Sequence, residues 1–212
     1  MKTLETMEKE IRGKTIELNS LIRDKTSLIV VDMVVGFVHS GIMSSPRVAA
    51  IVNNIVELNK LTSGFKKVFF IDAHEVDAQE FNSYPLHCVK GTQEADLIPE
   101  LKTNYSDNPN TTYVNKNSTN GFVSGEFQTW LKKHEDQVDN YIIVGCVTDI
   151  CIMQIALSLK AYFNENNKNK RIIVPINSVE TYDGDSHDGD LMNLFALYNM
   201  HINGIEIVEN IK

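Results

Sequence analysis

Short runs of aliphatic and β-branched residues alternate along the chain with longer stretches in which apolar positions recur every three or four residues. SLIVVDM (27–33), KKVFFIDAH (66–74), TTYVNK (111–116), NYIIVGCVTD (140–149), KRIIVPINS (170–178) and GIEIVEN (204–210) read as strands, most with the near-continuous apolar character of strands buried on both faces. Residues 46–62 place apolar side chains at i, i+3, i+4 and i+7, which predicts a helix; 124–134, 150–163 and 187–201 read as further helices. Strands separated by helices predict a three-layer α/β/α fold around a mostly parallel sheet of about six strands. Residues 1–25 read as a helical or extended arm packed outside a single domain spanning 26–212.

In a sheet of this type ligands bind at the carboxyl ends of the strands, near a topological switch point. The residues there form a set with chemical potential. The first strand ends in Asp32, the second in Asp72 and His74, and the third in Lys116; the fourth leads through Thr148 and Asp149 to Cys151. Taken singly, each has an ordinary explanation: an acid caps a helix, a lysine is solvated, a cysteine packs as a small hydrophobe. Their coincidence at strand ends points to a site. Cys151 is expected in the first turn of the helix that follows its strand, where the helix dipole favours a thiolate and unpaired N–H groups can hold an oxyanion. A nearby carboxylate could take the thiol proton and later deliver it to a leaving amine. Cys146, inside the strand, is expected to be buried.

Composition narrows the classes. A length of 212 residues with 42% hydrophobic content suits one compact core. A formal charge of −8 argues against nucleic-acid binding. There is no apolar run of about 18 residues for a membrane span. The charged start, MKTLETMEKEIRGKTIEL, lacks the apolar stretch of a secretory leader. Three cysteines without a CxxC pair read as reduced thiols, so a cytoplasmic protein is expected.

Three motifs carry a resemblance. VVDMVVGF (30–37), YVNKNSTNGF (113–122) and, most specifically, GCVTDICI (145–152) are similar to the isochorismatase-like cysteine hydrolases, and within them to the nicotinamidase branch; the likeness covers about residues 26–210. It implies Asp32, Lys116 and Cys151 as the catalytic set. It further implies a cis peptide between Val147 and Thr148, and an oxyanion hole made by the backbone N–H groups of Thr148 and Cys151.

Asp72 and His74 lie two apart, so one strand directs both to the same side. With Glu80 and His87 (the latter in HCVKGT) they offer N and O ligands for one divalent ion. Asp72, His74 and His87 fall on ligand positions of the nicotinamidases, and Glu80 falls where many of these have a third histidine. The resemblance implies zinc, with iron or manganese as alternatives. It also implies that Phe37 and Tyr84 sandwich the substrate ring, with Phe122 added to that wall. The acid-rich stretch TYDGDSHDGDLMN (181–193) lacks the glycine and glutamate placement of a calcium loop and reads as a solvated loop leading into a helix.

The reaction implied is hydrolysis of nicotinamide, or a similar small aromatic carboxamide, through a Cys151 thioester, by a protein that forms homo-oligomers. The alternatives are a metal-free hydrolase of the same fold acting on isochorismate or an N-carbamoyl amide, and a non-catalytic binding module.

Overall fold

The computed structural model describes residues 3–102 and 109–212. From the amino terminus, α1 (Leu4–Ile11) and β1 (Thr15–Ile16) precede the first core strand, β2 (Thr26–Val31). Next come α2 (Val35–Val38), α3 (Pro46–Ala50), α4 (Val52–Leu61), β3 (Lys66–Asp72), α5 (Pro99–Lys102) and β4 (Thr111–Lys116). The second half runs α6 (Gly125–His134), β5 (Asn140–Cys146), α7 (Met153–Glu165), β6 (Arg171–Pro175), β7 (Val179–Glu180), α8 (Gly189–Ile202), β8 (Glu206–Val208) and β9 (Asn210–Ile211).

The six strands expected from the sequence pair in the order β4-β3-β2-β5-β6-β8, all parallel. The two-residue β7 is an addition: it takes over from β6 along the carboxyl end of β5, pairing Val179 with Gly145 and Glu180 with Cys146. The chain moves outward from β2 through β3 to β4, then returns to the other side of β2 with β5. The switch point therefore lies between the carboxyl ends of β2 and β5.

Alternation within the strands supplies both layers of the core. Leu28, Val30, Phe69 and Ile71 face one way and meet Val48, Ile55 and Leu58 of α3 and α4. Ile29, Val31, Val68 and Phe70 face the other way and meet α6, α7 and α8 through Phe127, Leu131, Ile155, Leu159 and Leu197. Residues 46–62 form two helices that meet at Ile51 (φ −88°, ψ −6°), whose N–H turns to the Val48 carbonyl three residues back (3.3 Å). The arm is tied down. Ile11 is buried in the second layer, and β1 pairs in parallel with β9. No helix of the described residues is long and apolar enough to cross a membrane.

Gly145 shows how closely the two switch-point strands approach. Its φ is +118°, and a Cβ built there would lie 2.0 Å from the carbonyl oxygen of Val31 on β2. Both the left-handed backbone and the backbone contact exclude a side chain. Gly145→Ala is expected to cost about 3 kcal/mol by forcing β2 and β5 apart, read as a lowered denaturant midpoint; an unchanged midpoint would contradict this packing.

Candidate active site

The register of the sheet builds the centre. Asp72 and Lys116 are directly paired neighbours at the ends of β3 and β4, so their side chains leave the sheet on the same side. Lys116 Nζ lies 2.5 Å from Asp72 Oδ1, 2.9 Å from Asp32 Oδ2 and 3.9 Å from Cys151 Sγ. Asp32, directly after β2, is fully buried with φ +52°. The three residues read as catalytic from the sequence thus meet at one point, together with Asp72.

Their charges are set by burial and by one another. Burial pushes the Asp32 carboxyl up to about 7 against the pull of Lys116. At Asp72 burial works in the same direction, but Lys116, His74 and His87 together prevail and hold it well below the usual carboxylate range. The Lys116 ammonium is held charged: burial opposes it, and the two aspartates outweigh burial. Burial also pushes the Cys151 thiol up, with Lys116 offsetting only part of that. This differs from the helix-dipole expectation of a lowered thiol. Cys151 sits in a π-helical turn, Thr148–Ile152, that precedes α7, and it is 7% exposed. Desolvation there outweighs the dipole, so the resting group is a thiol beside the Asp32 carboxyl.

A second cluster adjoins this one. His74 follows β3 in extended form; its N–H donates to the Cys88 carbonyl (2.9 Å), and its own carbonyl accepts from Lys90 N–H (2.8 Å). This pairing folds the HCVKGT segment back and sets His87 beside His74, ring centroids 4.8 Å apart. Asp72, His74 and His87, all buried, bring one ligand atom each to within 4.8 Å of one another. His74 Nε2 is 2.9 Å from Asp72 Oδ2 and 3.5 Å from Glu80 Oε1; His87 Nε2 is 3.2 Å from Asp72 Oδ2. Glu80 turns its other oxygen to the Thr119 N–H (2.7 Å).

This donor set fits a divalent cation. His87 Nδ1 lies 2.7 Å from the Pro85 carbonyl, an oxygen that can only accept. Nδ1 therefore carries the proton, and Nε2 is the atom turned to Asp72. Burial opposes charge on His87, but the bond to Asp72 prevails and raises its pKa. Two electron-pair donors, His87 Nε2 and Asp72 Oδ2, thus face each other across a gap that a metal ion suits.

The cleft beside both clusters is lined by Phe37, Met43, Tyr84, Val147, Ile150 and Tyr182 together with Asp72, Glu80, His87, Thr119 and Cys151. Phe37 and Tyr84 are placed at the cleft. Phe122 is not: its ring packs on Phe127 and Tyr162, centroids 6.2 and 5.8 Å away, under α6 and α7. The cis peptide is also displaced from expectation, lying between Cys146 and Val147. Thr148 is fully buried and does not line the cleft, whereas Val147 does. Met43, Ile150 and Tyr182 went unread in the sequence. Met43 and Ile150 carry no chemical mark, but Tyr182 follows β7 and so obeys the strand-end rule that found the others.

The acid-rich loop is exposed over 183–186 and leads into α8, as expected, and it is also tied to the body of the fold. Arg47 of α3 binds Glu180 (3.1 Å), Asp183 (3.4 Å) and Asp190 (2.7 Å). Asp188 caps α8 by accepting the Leu191 N–H. Among the described residues, the only cluster suited to a metal is Asp72, His74 and His87.

The isochorismatase domain family model matches residues 26–204. Nicotinamidase 1 of Arabidopsis thaliana is 30% identical over 241 aligned positions, which cover 97% of this chain and 95% of that protein. Pyrazinamidase/nicotinamidase from Streptococcus mutans UA159 has a similar structure, with a TM-score of 0.72 and 22% identity over 88% of this chain and 99% of that one. Pyrazinamidase of Pyrococcus horikoshii in complex with zinc gives a TM-score of 0.68 and 21% identity over 87% and 98%. At these identities the two structures attest a common fold.

Proposed function

Since the chain belongs to the isochorismatase family, we propose that it hydrolyses a small aromatic carboxamide, nicotinamide foremost, to the acid and ammonia. The observation that carries this reading is the meeting of Cys151, at the cleft, with the buried Asp32 and Lys116 and with the Asp72, His74 and His87 cluster. The nicotinamidase relative supports the substrate class.

Asp32 takes the Cys151 proton, and Sγ attacks the carboxamide carbon. The oxyanion is held by backbone N–H groups, those of Cys151 and Val147; Val147 replaces Thr148 because it faces the cleft. The C–N bond breaks as Asp32 returns the proton to nitrogen, and ammonia leaves a thioester on Cys151. Water then attacks the thioester, giving its proton to Asp32, and the thiol is restored as the acid departs. Asp32, poised near neutrality by burial, suits both directions of transfer. Lys116 holds the two carboxylates in place. Phe37 and Tyr84 flank the ring. Asp72, His74 and His87, with Glu80 as a fourth donor, would hold the divalent ion, zinc foremost. Such an ion supplies a Lewis acid beside the thiol for a donor atom of the substrate.

The test is ammonia release from nicotinamide by purified protein, with bound metal quantified on the same sample. Metal near one per chain with turnover is expected, and stripping it should slow the reaction about 100-fold or more. No metal and no release would move the function to another amide or to isochorismate-type chemistry.

A further inference from the structure

Tyr182 lines the cleft in company with Val147, Ile150 and Cys151, and its ring is held from behind. The His187 imidazole stacks on it almost flat, with centroids 4.0 Å apart and planes 9° from parallel. Both nitrogens of that imidazole are engaged. Nδ1 lies 2.9 Å from the Tyr182 carbonyl and Nε2 lies 2.8 Å from Asp149 Oδ2. The second oxygen of Asp149 accepts the Thr181 hydroxyl at 2.6 Å. Asp149 is itself buried, in the same π-helical turn as Cys151 and two residues before it. A continuous chain of contacts thus runs from the nucleophile's turn, through Asp149 and His187, to the ring of Tyr182.

The flanks of the loop are fixed independently. Arg47 binds Glu180 and Asp183, the residues two before and one after Tyr182, and Asp183 also accepts the Gly189 N–H at 2.8 Å. One face of the Tyr182 ring is covered by His187, so the ring cannot swing away without breaking the stack. An aromatic wall fixed before the ligand arrives removes the ordering cost that a free side chain would impose on binding.

We propose that Tyr182 is a specificity-determining wall of the substrate cleft, against which the planar ring of the carboxamide rests. Asp149 and His187 are positioning residues that set this wall relative to Cys151 Sγ. The inference deepens the amide-hydrolase reading and rests on it for the identity of the ligand. It assigns to this loop the preference for a flat aromatic amide over an aliphatic one of similar size.

The experiment compares kcat and KM for nicotinamide and for an aliphatic amide of the same heavy-atom count, cyclohexanecarboxamide, in wild type, Tyr182→Ala, Tyr182→Phe, His187→Ala and His187→Phe. Nicotinamide binding is measured in parallel by ligand-observed NMR, which needs no turnover. Loss of one aromatic contact is expected to raise the nicotinamide KM and Kd of Tyr182→Ala by about tenfold. The aromatic-to-aliphatic ratio of kcat/KM should fall by a similar factor. Tyr182→Phe should restore both. His187→Ala should weaken nicotinamide binding severalfold, and His187→Phe, which can still stack, should recover part of it. A folded, active Tyr182→Ala protein with unchanged Kd and an unchanged substrate ratio overturns the proposal. A wild type that turns over neither amide, but whose nicotinamide binding depends on Tyr182, sinks the amidase reading and keeps the wall. A wild type that binds no nicotinamide at all sinks both.

Discussion

Replacing Cys151 with alanine is expected to lower ammonia release by at least about 10⁴-fold while leaving the protein folded. The argument is one of supply. The proposed route needs a sulfur at the mouth of the β2–β5 switch point, and neither of the other two thiols can provide one. Cys146 is fully buried and its Sγ donates to the Asp32 carbonyl at 3.1 Å. Cys88 is fully buried and turned to the Glu94 carbonyl. Alanine removes one atom from a nearly buried position, so the cleft should keep its shape and still bind substrate. The measurements are steady-state ammonia release and mass spectrometry of protein quenched during turnover. Wild type should carry an acyl adduct and Cys151→Ala none. Activity within tenfold of wild type would end the thioester scheme.

Lys116→Met should be the most destabilising change in the site, costing about 3–5 kcal/mol at pH 8. Lys116 is 3% exposed and stands between Asp32 and Asp72, both of them buried. Methionine fills the space but removes the cation that faces both buried carboxyls and leaves Asp72 with only the two imidazoles. The pH dependence follows from sign. Lys116 is what chiefly opposes burial at both aspartates. Without it Asp32, already raised to about 7, is pushed further above the unfolded value of about 4, and Asp72 loses the largest of the pulls that hold it below that value. A group raised in the folded state contributes stability below its unfolded pKa, and that contribution is lost as pH climbs through the folded pKa. The deficit relative to wild type should therefore shrink toward acid pH and grow toward alkaline pH. Denaturant unfolding at pH 5 and pH 8, in chelator, reads it. A constant deficit, or none at pH 8, would mean that the three groups are not the isolated buried cluster described.

Much of this was legible in the sequence because strand ends are. The run SLIVV announces a doubly buried strand, and the first polar residue after it, Asp32, has to emerge at the end where a parallel sheet binds ligands. The same logic found Asp72, Lys116 and Cys151. What failed was what depends on local backbone geometry. The sequence reading carried the fourth strand on to residue 149 and placed the cis bond one residue late. In the structure β5 stops at Cys146 and a π-helical turn intervenes before α7, and Val147, not Thr148, lines the cleft. Phe122 sits near Lys116 in sequence, but the short turn Gly121–Val123 directs its ring into the α6–α7 layer. The acids of 181–193 do lie in an exposed loop that starts α8; what no local pattern shows is the tie to Arg47, more than 130 positions earlier in the chain.

The order β4-β3-β2-β5 also has a kinetic meaning. Asp32, Asp72, Lys116 and Cys151 come from four strands joined by long crossovers, so no stretch of the chain shorter than about half its length holds them all. His74 and His87, by contrast, are thirteen residues apart and are joined by their own backbone pairing. In refolding, the two imidazoles can meet by closing one short loop, whereas the nucleophile, its base and the lysine come together only when the distant parallel pairings are complete. Recovery of turnover is thus a late event, and it reports completion of the β4-β3-β2-β5 pairings rather than the first collapse.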